Sequence, residues 1–245
     1  MNTHVTSLVE GTFPRFQGDL TRWNADMTAL QNALASSNGH HYNAQLPDVI
    51  GHITVDEAAL LVSLSDGVEL SLTDNEEDYG VDGIRDFLPK NKQNELHGVQ
   101  IARYLLPNLM TQIERDIALI LGGQGALRFV ELEKGITKAG EVAKGTGNLH
   151  VDTMVNNERD LHSMHYLAAV NNSTLFYRGA AKLFALNNGQ LRLDTESLDT
   201  SRDGAIMQAP SLAIVRANGA TVHGSPRFTE EASRPWLRIS AGLMV

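Results

Sequence analysis

Apolar residues recur at helical spacing in two parts of the chain. Over residues 20–36, Trp23, Met27, Leu30 and Leu34 fall on one helical face, and Ser36-Ser37-Asn38-Gly39 closes the segment. Thr54-Val-Asp-Glu57 has the form of a capping box ahead of an apolar stretch at 58–64. The longest helical pattern covers 94–121, with Val99, Ala102, Leu105, Leu106, Leu109, Ile113, Ile117 and Leu121 on the apolar side. Pro107 is predicted to kink or split it and Gly122-Gly123 to stop it. A helix of this kind is expected to back a sheet. Residues 72–94 are acidic and carry Gly80, Gly83 and Pro89, which reads as a surface loop or a lid over a site. His40-His41 reads as loop.

After Gly125 the period changes. Residues 127–133 (LRFVELE) alternate like a strand, and 161–170, 173–176, 191–193, 212–216 and 236–245 also read as strands. Asn-Gly and Asp-Gly signals separate several of them. Residues 135–148 read as loop. The expected class is mainly β with flanking helices: residues 1–122 form a helical and loop portion that packs on a β core at 123–245, in one integrated domain.

Composition narrows the chemistry. Of 245 residues 42% are hydrophobic, enough for a sizeable core, and the formal net charge of −9 lacks the basic footprint of a nucleic-acid binder. There is no cysteine, so disulfides, thiolate metal sites and cysteine nucleophiles are excluded. Residues 1–15 lack the apolar run of a secretory leader, and no stretch has the length and apolarity of a membrane span. The expected address is cytoplasmic, without membrane contact.

Any metal must therefore be held by His and carboxylate. In Asn148-Leu-His150-Val-Asp152 the histidine and aspartate are two apart, so on an extended strand they point to one face and reach one ion. A third ligand would complete the facial set of two His and one carboxylate that leaves positions open for oxygen chemistry at iron. An isolated His-x-Asp is common by chance, so a partner is needed downstream. Val222-His223-Gly224-Ser225-Pro226 supplies a histidine after a strand and an Asn218-Gly219 turn. In Arg234-Pro-Trp-Leu-Arg238-Ile-Ser240, alternation places Arg234, Trp236, Arg238 and Ser240 on one face. Inward guanidiniums are costly unless paired with anions, and the carboxylate of a bound small acid is a natural partner.

His-x-Asp, a distal His and an Arg eleven residues later resemble the iron(II)/2-oxoglutarate-dependent oxygenases. The Arg pair four apart, and Ser173-Thr174-Leu175-Phe176, are similar to the taurine/alpha-ketoglutarate dioxygenase branch. The resemblance covers residues 125–245. It implies a double-stranded β-helix (a jelly-roll or cupin-like core), Fe(II) on His150, Asp152 and His223, and 2-oxoglutarate with its distal carboxylate on Arg234 and Thr174. Arg238 would assist there or contact substrate. An aspartate at position 152, where halogenating members carry a small residue, implies hydroxylation, desaturation or ring closure by dioxygen on a small-molecule substrate such as an amino acid or natural-product intermediate. The Asp152-to-His223 interval is shorter than usual in the taurine branch, which points to a compact member.

Two other classes fit parts of the pattern. A zinc or cupin-type metalloenzyme could use the same ligands to activate water, but it has no need of the arginine pair. A non-catalytic β-sandwich would leave His150, Asp152, His223 and the arginines as ordinary surface and turn residues. His162 and His165, three apart, face opposite ways on a strand, which reads as a satisfied core histidine and a surface one, or as one of them lining a pocket.

Overall fold

The computed structural model describes residues 13–64, 68–73, 82–93, 95–141, 149–152, 161–171, 173–188, 190–228 and 230–243. The predicted helices form: α1 (Thr21–Ala35), α2 (Val55–Ser63), α4 (Val99–Leu105) and α5 (Pro107–Leu121), with the short α3 (Asp82–Arg85) between them. Pro107 splits the long pattern as predicted. It takes the first position of α5, where its missing N–H costs nothing, and the break falls at Leu106. Gly122, at φ +60°, ends α5 in a backbone conformation that glycine adopts without a Cβ clash.

The Thr54 capping box forms in full, and its glutamate does more than the pattern predicts. Glu57 is buried; one carboxylate oxygen accepts from Thr54 N (3.1 Å), while the other accepts from Asn108 N (2.8 Å) and Leu109 N (2.9 Å) at the start of α5. One carboxylate thus satisfies orphan amides of two helices. At the other end of α2, Lys134 donates to the Val62 and Leu64 carbonyls.

Twelve strands lie among the described residues. They are β1 (His40–Ala44), β2 (Asp48–His52), β3 (Val68–Thr73), β4 (Gly125–Thr137), β5 (Met164–Ala169), β6 (Leu175–Tyr177), β7 (Gly179–Ala185), β8 (Leu191–Leu193), β9 (Ile206–Gln208), β10 (Ala213–Asn218), β11 (His223–Gly224) and β12 (Ala232–Leu243). A six-stranded sheet runs β2-β10-β5-β12-β4-β3, and two three-stranded sheets run β11-β6-β9 and β1-β7-β8. The molecule is mainly β with flanking helices, as expected.

Three readings change. His40 and His41 begin a strand that pairs with β7 rather than a loop. The portion before residue 123 contributes β1, β2 and β3 to the sheets in addition to its helices. The expected loops at 72–94 and 135–148 begin later, after β3 and β4 end at Thr73 and Thr137; residues 74–81 and 142–148 lie outside the described residues.

The two faces of the large sheet have different partners. Val130 and Leu132 of β4, Tyr166 of β5 and Leu237, Ile239 and Ala241 of β12 join Leu109, Ile113 and Ile117 of α5 in the main core. On the opposite face Val49, Leu167, Val215 and Ala217 pack with Phe176 of β6 and Met207 of β9 in a smaller core. The small sheet β11-β6-β9 is therefore layered on the large one. Beside this second core the large sheet turns from apolar to charged side chains.

Candidate metal centre

His150 and His223 come from distant parts of the chain and meet as a single antiparallel bridge. His150 N donates to His223 O (2.8 Å) and His223 N to His150 O (2.9 Å). Residues directly opposite in such a pair project side chains to the same side. The imidazole centroids are accordingly 4.4 Å apart. Asp152, two residues beyond His150, shares that side.

The three ligand atoms converge. Asp152 Oδ1 is 3.3 Å from His150 Nε2, and Oδ2 is 3.3 Å from His223 Nε2. One atom from each residue fits within 4.8 Å of the others, and no other group of this kind forms among the described residues. Two ligand atoms each about 2.1 Å from an ion and at right angles lie about 3 Å apart, so the spacing suits adjacent ligands of one ion. His223 Nδ1 lies 3.0 Å from the Thr221 carbonyl, which can only accept, so Nδ1 holds a proton and Nε2 is the nitrogen that faces Asp152 and would give up its own proton to take an ion. Burial alone would raise the Asp152 carboxyl, but hydrogen bonds from His150 and His223, with the charges of His223 and His165, hold it far below the usual carboxylate range. The carboxylate is thus ionised and ready for a cation.

Arg234 and Thr174 also meet as expected: Arg234 Nη2 donates to Thr174 Oγ1 at 3.4 Å. Arg234 is only 4% exposed and lies over the Trp236 ring at 5.6 Å. Burial lowers its guanidinium to about 10, with Glu133 acting in the opposite sense. Opposite Arg234 on β4 stands Gly135, and the Glu133 carboxylate lies beside that glycine, 3.3 Å from where a Cβ would be. Next to Thr174, the buried Ser173 hydroxyl has no hydrogen-bond partner, alone among the buried side-chain polar atoms described. A buried cation with a threonine hydroxyl beside it suits a carboxylate.

Arg238, expected to assist Arg234 or to contact substrate, meets Glu131 and Asp152. Its Nε donates to Glu131 at 2.6 Å and its Nη1 lies 3.5 Å from Asp152 Oδ2. Burial opposes its charge, and Glu131 with Asp152 more than restores it, raising the guanidinium above its ordinary value.

Sequence reasoning did not single out Glu131 or the His165–Ser240 pair. Alternation in Phe129-Val-Glu131-Leu-Glu133 puts the carboxylates on the face away from the helices, but their register against β12 is a tertiary fact. His165 is on the site side of β5, opposite Ser240, with Nδ1 2.6 Å from Ser240 Oγ. Burial depresses His165 to about 4, only partly countered by Asp152. The folded protein thus refuses a proton that the unfolded chain accepts below its ordinary value near 6.5. Stability is lost as pH falls from about 6.5 toward 4. In metal-free protein, thermal midpoints should fall less over this interval for His165→Gln than for the wild type.

No family profile matches the sequence, and no curated protein matches it. Several solved structures share its backbone course loosely. The Kdo hydroxylase KdoO, a non-heme Fe(II) alphaketoglutarate dependent dioxygenase in complex with succinate and Fe(III), is 11% identical over 96% of this chain and 87% of that one, at a TM-score of 0.46. The non-heme monooxygenase ThoJ is 11% identical over 80% and 72%, at 0.45. HygX from Streptomyces hygroscopicus with iron bound is 12% identical over 78% and 87%, at 0.37. Backbone likeness at this level does not decide chemistry; the side chains of the site must.

Proposed function

We propose that this protein is an Fe(II)- and 2-oxoglutarate-dependent oxygenase acting on a small molecule, built on a double-stranded β-helix. The observation that carries this reading is the convergence of His150, Asp152 and His223 on one point, together with a buried Arg234–Thr174 cradle on the same core. Two imidazoles and a carboxylate, with no thiolate in the chain, are the donor set that suits iron(II) with open positions. When bound, the metal and co-substrate supply the oxidising power for an unactivated C–H bond.

The protein's own contribution is placement. His223 is locked in one tautomer by the Thr221 carbonyl, so its Nε2 stays available to the ion. Arg234 and Thr174 grip the distal carboxylate of 2-oxoglutarate, with Arg234 donating in a site from which water is largely excluded. Phe176, whose ring centroid is 6.1 Å from that of His223, closes the side of the site toward the smaller core. The substrate class follows from the absence of a basic polymer-binding footprint, and an amino acid or natural-product intermediate fits. Among the described residues no helix is long and apolar enough to cross a membrane.

The test is anaerobic addition of Fe(II) and 2-oxoglutarate. A visible metal-to-ligand absorption band is expected from the wild type. Arg234→Ala should still bind Fe(II) but need at least roughly 30-fold more 2-oxoglutarate to develop the band. Truncating one partner of a buried charge pair costs about 2–5 kcal/mol. Bound Fe(II) without a band at any 2-oxoglutarate concentration would sink this reading. Succinate release in a substrate screen then identifies what is oxidised.

A further inference from the structure

Arg238 sits on the site face of β12 directly across from Glu131 of β4, and its guanidinium lies 5.6 Å over the Phe129 ring from the same strand. One edge of the fork is occupied: Nε donates to Glu131 Oε2 at 2.6 Å. From the other side Nη1 faces Asp152 Oδ2 at 3.5 Å, the long end of hydrogen-bond distance. Arg238 therefore bridges a carboxylate of the sheet and the carboxylate of the metal centre. A lysine, with one ammonium on a flexible stem, cannot hold two anions on opposite edges of a rigid plane.

We propose that Arg238, anchored by Glu131, is a positioning residue for Asp152: it engages Oδ2, so that Asp152 gives a bound divalent ion one oxygen, Oδ1. This rests on the metal site proposed above. A carboxylate can bind an ion through one oxygen or two, and the second mode consumes a position that co-substrate or dioxygen needs. Oδ2 also lies 3.3 Å from His223 Nε2, and Arg238 is the group that holds it back from the ion and keeps that position open. The anchor also settles the charge. A lone guanidinium beside the site would repel an incoming cation, but Glu131 cancels it, so the cluster of Asp152, Arg238 and Glu131 keeps the single negative charge of Asp152. Partners of this kind orient ligands and tune the metal they hold.

The experiment loads the full chain with Mn(II) and reads two quantities. Free Mn(II) by electron paramagnetic resonance gives affinity, and water-proton relaxation at saturating metal gives the number of coordinated waters. Arg238→Lys and Arg238→Met are both expected to lose about one coordinated water, because Asp152 swings to bind through both oxygens. Using both guards against either failing to fold. Glu131→Gln is expected to keep the wild-type water number and lose affinity about 10-fold, the lower end of the range for groups behind the ligands. Wild-type relaxation in the folded Arg238 variants at saturating Mn(II) overturns the assignment of Arg238 while leaving the metal site intact. A wild type whose Mn(II) binding matches that of Asp152→Ala overturns the metal site itself, and this inference with it.

Discussion

Replacing Asp152 with alanine is expected to lower divalent-metal affinity by more than about 100-fold and to abolish the proposed oxygenase activity. Loss of a group behind the ligands already costs about 10–100-fold, and Asp152 is the only carboxylate of the three-ligand set. Its removal leaves two imidazoles that share a backbone bridge but offer no negative charge to balance the ion. The fold should survive, because the Asp152 side chain is part-exposed and belongs to neither apolar core. Calorimetric titration with Fe(II) or Co(II), alongside a thermal melt of the metal-free protein, separates loss of the site from loss of the fold. Near-wild-type affinity in Asp152→Ala would remove the basis for the metal centre.

The second large effect lies away from the site. Arg216→Met is expected to destabilise the protein by about 3–5 kcal/mol, the usual cost of removing one partner from a buried ion pair. For a chain of this size that is roughly 10 °C in Tm. Arg216 of β10 is buried and donates to Asp116 Oδ1 of α5 (2.6 Å) and Asp48 Oδ2 of β2 (2.8 Å). Its guanidinium stacks 4.3 Å from the Phe16 ring. Tyr166 of β5 donates to the other Asp116 oxygen at 2.9 Å, and Arg22 of α1 lies 3.3 Å from Asp48. One guanidinium thus ties the large sheet to α5 directly and, through Asp48 and Arg22, to α1. Without it two carboxylates are left without their shared cation.

The pH dependence of that deficit has a definite sign. Burial raises Asp48 above its ordinary value even with Arg22 and Arg216 nearby. A carboxyl raised on folding favours the folded state at low pH, and that contribution is lost as pH rises through its folded value. Losing Arg216 raises Asp48 further, so the deficit of the variant should be smaller at pH 5 than at pH 8. Urea midpoints at the two pH values check this; an equal deficit at both would mean that the carboxylates relax into solvent instead.

Local rules made much of the site legible before any fold was known. His150 and Asp152 share a side because strand side chains alternate, and the same period puts Arg234 and Arg238 on one face of β12. Strands with little apolar alternation escaped. β1 reads His-His-Tyr-Asn-Ala, and its pairing comes from its place against β7 rather than from propensity. The Gly-Ala-Ala-rich β7 and the two-residue β11 carry equally little signal.

Sequence by itself determined which side chains could serve as ligands, the absence of thiolate chemistry, the split at Pro107 and the cap at Thr54. All of these depend on residue identity and on spacings of a few residues. Tertiary structure alone decided that His150 lies opposite His223, that Thr174 reaches Arg234, and that Arg238 faces Glu131 and Asp152 rather than joining Arg234. Those juxtapositions are set by the register of antiparallel strands far apart in the chain. A shift of one residue would send each side chain to the opposite face.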